Sequence, residues 1–231
     1  MRTLQRRTKR IRCRIESLAR ATGIGSARRM THVLIYGDSN SHGTSPGPEE
    51  RFGDGERWAG PLAAGLGEGW KVTVEGLPGR TIALDDPVEG TWKNGLTLLP
   101  GILQSHDPID ILVIMLGTND QKGRFSMTAA DIAPAAGRML DRAAQFTMAK
   151  KLLICPPAVR EAGSGADVFG GAEQRTRDLP ARMAEVARAR GVAFFDANEV
   201  IETDPDEGVH FGTEAHAALG HALVPVIRRL V

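Results

Sequence analysis

Five stretches of the chain are apolar almost without interruption: THVLIYG (31–37), KVTVEG (71–76), IDILVIMLG (109–117), KLLICPP (151–157) and VAFFDA (192–197). Runs of this length, rich in β-branched residues, suit strands covered on both faces, as in parallel sheets. Between them the spacing of apolar positions lengthens to a helical period. Helices are predicted in WAGPLAAGLG from Trp58, LTLLPGILQSH from Leu96, TAADIAPAAGRMLDRAAQF from Thr128, GAEQRTRDLPARMAEVARARG from Gly171 and TEAHAALGHALVPVIRRLV from Thr213. Alternating strands and helices of this size predict a three-layer α/β/α sandwich on a five-stranded parallel sheet with right-handed crossovers. Ligands should then bind beyond the carboxyl ends of the strands. No internal repeat, linker or further domain interrupts residues 31–231.

Composition narrows the class. Of 231 residues, 42% are hydrophobic and 25% charged, and glycine is plentiful at 27 while aromatics make up only 5%. That excludes collagen-like, disordered and disulfide-stapled chains. No apolar run approaches the ~18 residues of a membrane-spanning helix. The two cysteines, Cys13 and Cys155, lie in unrelated contexts, which points to a reducing compartment, and without a secretory signal the cytoplasm is the default.

The formal charge of +1 hides an asymmetry. Residues 1–30 carry ten basic groups and one acid, Glu16, and the remaining residues are net acidic. Three readings of this leader stay open: an arm for nucleic acid or membrane, a targeting segment, or an upstream extension with Met30 as the true start. It is expected to be loosely attached. The acidic domain downstream of it argues against a nucleic-acid partner.

The candidate chemistry collects at strand ends. Gly37-Asp38-Ser39-Asn40 follows the first run, and of the eight serines only Ser39 does so. A serine hydroxyl is a weak nucleophile and needs a sharp, accessible turn, a base within reach and amides for the developing oxyanion. GxSxG occurs nowhere. Gly76-Leu77-Pro78-Gly79-Arg80-Thr81 follows the second run, and its glycine lets a backbone N–H approach a reacting oxygen. Gly117-Thr118-Asn119-Asp120 closes the third, where an asparagine amide can donate into the same mouth. Glu207-Gly208-Val209-His210 precedes the last helix, and that spacing lets a carboxylate orient one imidazole nitrogen while the other faces a substrate. Each motif alone is an ordinary turn; four in order at one end of a predicted sheet are more specific. Asp38, Arg80 and Asp120 read as turn residues, and His32, His216 and His221 as structural.

With Ser39, Gly79, Asn119 and His210 in this order, the chain resembles the SGNH (GDSL-type) hydrolases. RFGDGERWAG, the NG at 94–95, IMLGTND and FGGAEQRT are similar to the bacterial arylesterase and acyltransferase branch. The resemblance covers roughly residues 31–231. It implies a flavodoxin-like sandwich and a serine esterase acting on small aryl or alkyl esters through an acyl-serine, with capacity for acyl transfer or perhydrolysis. It also implies homo-oligomers and no cofactor or metal. Ser39 N–H, Gly79 N–H and the Asn119 amide would form the oxyanion hole, at about 3 to 4 kcal/mol per donor.

Two positions depart from the family pattern. Glu207 stands where aspartate is usual, with Asp204 and Asp206 beside it, so Glu207 is the expected triad acid and Asp206 the alternative. Asn40 replaces the commonest leucine and is expected to line the mouth. Trp58 and Trp92 flank that mouth, as an acyl pocket or as packing. A carbohydrate acetylesterase, a lysophospholipase or thioesterase, and a non-catalytic binding protein are the other readings; a small-molecule ester is the expected partner, with neither nucleic acid nor membrane.

Overall fold

The computed structural model describes residues 29–47, 50–163 and 165–231. The chain divides into Met1–Met30 and Thr31–Val231. The expectations for the basic leader therefore lie outside the described residues, except at Arg29 and Met30. Every described strand and helix belongs to the second unit.

The five apolar runs form β1 (Thr31–Gly37), β2 (Trp70–Gly76), β3 (Ile111–Met115), β4 (Lys150–Cys155) and β5 (Ala193–Asp196). They make one all-parallel sheet in the order β2-β1-β3-β4-β5. This is the expected α/β class. The order reverses between β1 and β3, so the loops leaving those two strands diverge and open a crevice at their carboxyl ends.

Alternation along the strands decides which side chains meet which helices. Leu34, Tyr36, Leu112 and Ile114 pack on one face with α3 (Gly95–Ser105), α4 (Ala129–Phe146) and α7 (Leu179–Ala189). Val33, Ile35, Ile111, Val113 and Met115 pack on the other with α2 (Ala59–Leu66) and α8 (Thr213–Arg228). Because both faces are covered, the strands read as continuous apolar runs. Three short helices fill the loops: α1 (Ser39–His42), α5 (Gly165–Phe169) and α6 (Ala172–Arg175).

The long helix expected from Gly171 is instead two, α6 and α7. Pro180 lies in the first turn of α7, where its missing N–H costs nothing, but one turn further into a continuous helix it would break the ladder. Thr176 closes α6, and its hydroxyl meets the Ala172 carbonyl and the Gln121 side-chain oxygen. The helix from Thr128 starts where expected, with the Thr128 N–H donating to Asp131 Oδ2 at 2.9 Å.

α2 and α8 approach closely at Gly220. A β-carbon there would fall 2.8 Å from Pro61 Cβ and 3.0 Å from the Leu62 nitrogen. Backbone cannot yield as a flexible side chain can, so Gly220→Ala is expected to lower stability by about 1–3 kcal/mol. Urea unfolding of the two proteins checks this through the midpoint.

Candidate active site

The turn after β1 is made by close packing. A β-carbon at Gly37 would overlap Ser41, and one at Gly76, paired beside it in the sheet, would fall 2.8 Å from His42 Cα. Glycine at both strand ends lets α1 sit directly on the sheet edge. Asp38 caps that helix, its Oδ1 accepting from the Asn40 N–H at 3.0 Å. Ser39 opens the helix, so its own N–H is among those a helix start leaves without an intrahelical partner.

His210 and Glu207 share one turn. Glu207 Oε1 lies 2.9 Å from His210 Nδ1, and Oε2 accepts from the N–H groups of Val209 at 2.9 Å and His210 at 2.6 Å. A carboxylate acceptor assigns the proton to Nδ1 and leaves Nε2 as the basic nitrogen. Burial works to raise the Glu207 carboxyl, but the hydrogen bonds from His210 and Val209 and the His210 charge outweigh it and hold the group below its ordinary value. The acid therefore stays ionised through the neutral range. Asp206 is exposed, and its backbone N–H is held by Asp204 Oδ1, which also accepts from the Glu207 N–H. Of the adjacent acids it is Glu207 that reaches the imidazole, while Asp204 shapes the turn.

Asn119 sits in the short turn after β3, 5% exposed. Its amide donates one N–H to the Arg80 carbonyl at 3.1 Å and has a second to offer. Gly79 has φ of +78°, a left-handed conformation that favours glycine. Beside it, Arg80 is buried against the Tyr36 ring and donates to the carbonyls of Gly37 at 2.8 Å and of Glu75. Both oxygens of Asp120 accept from the Ile82 N–H, at 3.1 and 3.0 Å. Arg80 and Asp120 thus tie the β2 loop to β1 and β3. Burial pushes Asp120 up to about 7 and Asp38 up to about 6, against the lowering influence of the backbone N–H groups that each accepts.

Ser39, Gly79, Asn119, Glu207 and His210 all line one cavity of about 590 Å³. His42, Arg51, Glu89 and Lys122 line it as well, with Val168, Phe169 and Val209 adding apolar wall. Nothing local in the sequence marked Glu89 or Lys122. They are 33 positions apart and meet across the mouth in an ion pair, so only the tertiary fold joins them.

Three candidate lining residues are elsewhere. Asn40 is buried, and its amide donates at 3.2 Å to the carbonyl of Val209, so it braces the His210 turn. Trp58 is fully buried in the core against α2 and α8, and its backbone N–H donates to His216 Nδ1 at 3.1 Å. Trp92 is 61% exposed and folds over Gly90. Trp58 follows the packing alternative, and neither tryptophan lines the cavity that holds Ser39. His216 lies beneath the site in the aromatic company of Phe52 and Phe211, and burial, with the nearby His210, pushes it down to about 4. It is neutral and structural, as its place on the last helix suggested.

Among the described residues, no group of three or more His, Cys, Asp or Glu side chains is gathered as metal ligands. A second cavity, of about 520 Å³, lies beyond β4 and is lined by Gln121, Cys155 and Thr176. It contains none of the five residues above. Among the described residues no helix is long and apolar enough to cross a membrane.

The profile of the GDSL-like lipase/acylhydrolase family matches residues 35–218. No curated protein matches the chain. The inhibitor-bound aryl esterase of M. smegmatis is 35% identical, over 87% of this chain and 100% of that one, with a TM-score of 0.82. Est24, a carbohydrate acetylesterase from Sinorhizobium meliloti, is 34% identical over 87% of this chain and 100% of its own, also at 0.82.

Proposed function

Because the chain belongs to the GDSL-like lipase/acylhydrolase family and is a carboxylic ester hydrolase of the serine type, we propose that Ser39 is its nucleophile, His210 its general base and Glu207 the acid that orients the base. The observation that supports this most directly is the His210–Glu207 hydrogen bond on the wall of the cavity that also holds Ser39, Gly79 and Asn119. The Ser39 hydroxyl oxygen attacks the ester carbonyl carbon, and its proton passes to His210 Nε2. The carbonyl oxygen, now an anion, takes hydrogen bonds from the N–H groups of Ser39 and Gly79 and from the second amide hydrogen of Asn119. As the tetrahedral intermediate collapses, His210 protonates the departing alkoxide and leaves an acyl-serine. Water, deprotonated by His210, then attacks that ester, and as the second tetrahedral intermediate collapses His210 returns the proton to Ser39 Oγ, releasing the acid and the free serine. An alcohol or peroxide taking the place of water would give acyl transfer or perhydrolysis.

For the substrate we propose small acyl esters. The acyl wall contributed by Val168, Phe169 and Val209 is short, and polar or charged side chains, among them Thr44, Glu50, Arg51, Glu89 and Lys122, make up most of the rest of the rim. With p-nitrophenyl acetate, butyrate and octanoate, kcat/KM is expected to fall by about tenfold or more from first to last, the cost of only one or two methylenes that find no room, at about 1–3 kcal/mol each. A faster octanoate would overturn the short-acyl reading. The charged lip of Arg51, Glu89 and Lys122 favours a second reading, a polyhydroxylated alcohol half such as an acetylated sugar. Higher kcat/KM on acetylated sugars than on aryl acetates would select it. Family resemblance supports a homo-oligomer, and the buried, free thiol of Cys155 fits a reducing, cytoplasmic setting.

A further inference from the structure

We propose that Lys93 is a positioning residue of the oxyanion hole, acting through the Pro78–Gly79 peptide. The inference rests on the reading of Gly79 as an oxyanion donor. Pro78 C=O and Gly79 N–H belong to one planar peptide unit. Lys93 Nζ donates to that carbonyl at 2.6 Å, from the end of a 3-10 turn spanning Thr91–Lys93. An ammonium on the carbonyl oxygen draws electron density through the conjugated C–N bond and makes the N–H at the other end a stronger donor. It also fixes the direction of that N–H, because a planar unit cannot turn at one end only.

The surroundings act in the same sense. Lys93 is itself anchored: its carbonyl accepts from the Thr81 N–H at 3.0 Å, and its own N–H donates to the Gly90 carbonyl at 3.1 Å. Its Cε stands 3.3 Å from where a β-carbon of Gly79 would be, and the Glu89 carboxylate closes the same space. A carboxylate there would oppose a developing oxyanion, but Glu89 is paired with both Lys122 and Arg124, and Asp86 with Arg124. Among these five groups the cations exceed the anions by one, and Lys93 is the cation that neither acid holds. Lys93 thus places an ammonium on the far end of the peptide whose N–H the oxyanion would meet.

The test compares wild type and Lys93→Met for kcat, KM and inhibition by an aryl trifluoromethyl ketone. Ser39 Oγ adds to the ketone carbon, its proton passes to His210, and the ketone oxygen becomes an oxyanion, so affinity reports the hole directly. Lys93→Met is expected to lower kcat on the order of tenfold, less than the ~10²–10³ of losing a donor outright. KM should be unchanged and the ketone Ki should rise in parallel with the loss in kcat. A kcat within twofold of wild type, or a loss confined to KM, overturns the proposal. If methionine at 93 lowers the melting temperature, Lys93→Arg decides: kcat near wild type supports the role, and kcat as low as in the methionine variant overturns it. Failure of the underlying reading looks different. In that case wild type forms no ketone adduct and Ser39→Ala keeps its turnover, whereas a normal adduct with unchanged Lys93→Met kinetics sinks only the role of Lys93.

Discussion

Ser39→Ala is expected to lower kcat on aryl acetates by about five to six orders of magnitude, leaving only the residual rate that an oxyanion hole and binding provide without a nucleophile. Ser39 is 6% exposed at the first position of α1, a turn held by the Asp38 cap and by the Ser39 carbonyl rather than by the hydroxyl. That carbonyl accepts from the Gly43 and Thr44 N–H groups at 2.9 and 3.0 Å. Alanine preserves those backbone contacts, so the melting temperature should hardly move. Steady-state hydrolysis, together with labelling by a fluorophosphonate, makes the measurement. A variant that keeps substantial turnover, or that still labels at this position's peptide, would remove Ser39 from the mechanism.

Glu207→Gln is expected to cost about 10⁴-fold in kcat, the scale at which a triad acid is replaced by its amide. Two effects add. The amide loses the charge that stabilises the imidazolium formed as Ser39 is deprotonated. It also presents an N–H as readily as an oxygen to Nδ1, which favours the tautomer whose proton sits on the wrong nitrogen. Asp206→Asn, on the exposed side of the same turn, should leave kcat unchanged. The pair of variants decides between the two acids: a large loss at Asp206 with little at Glu207 would reverse the assignment. Because Glu207 is held below its ordinary value in the folded protein, the sign of its linkage is clear. Its contribution to stability is present above the ordinary glutamate range and is lost as pH falls through the depressed folded value.

The fold was largely legible because its signals are local. Continuous apolar runs announce strands buried on both sides, and the structure divides Val33 and Ile35 from Leu34 and Tyr36 onto opposite faces. The four motifs could be ordered along the sheet because each abuts the end of a run or the start of a helix. Glu207 and His210 were paired by spacing alone, since a turn of four residues carries its own geometry. What escaped was long-range. Trp58 begins a helix and looks like a loop aromatic, yet residues of α8 some 160 positions later enclose it. Glu89 lies in the loop after β2 and meets Lys122 only once β1 and β3 lie side by side. The break between α6 and α7 was written in Pro180, but the amphipathic period on both sides of it masked the boundary.

The short turn from Glu207 to His210 has a consequence for how the enzyme would fail under stress. Acid and base are separated by two residues and joined by two hydrogen bonds, with a third from the Val209 N–H closing the same turn, whereas the nucleophile arrives from the opposite end of the chain. Loosening of the sheet edges or of α8 would carry the two groups together as a rigid unit, so partial denaturation would leave a primed base with no serine to serve. Inactivation by heat would then precede any loss of the acid–base contact. Engineering for durability should accordingly reinforce the seam between the Asn40 amide and the Val209 carbonyl, the hydrogen bond that docks this unit onto the nucleophile's helix.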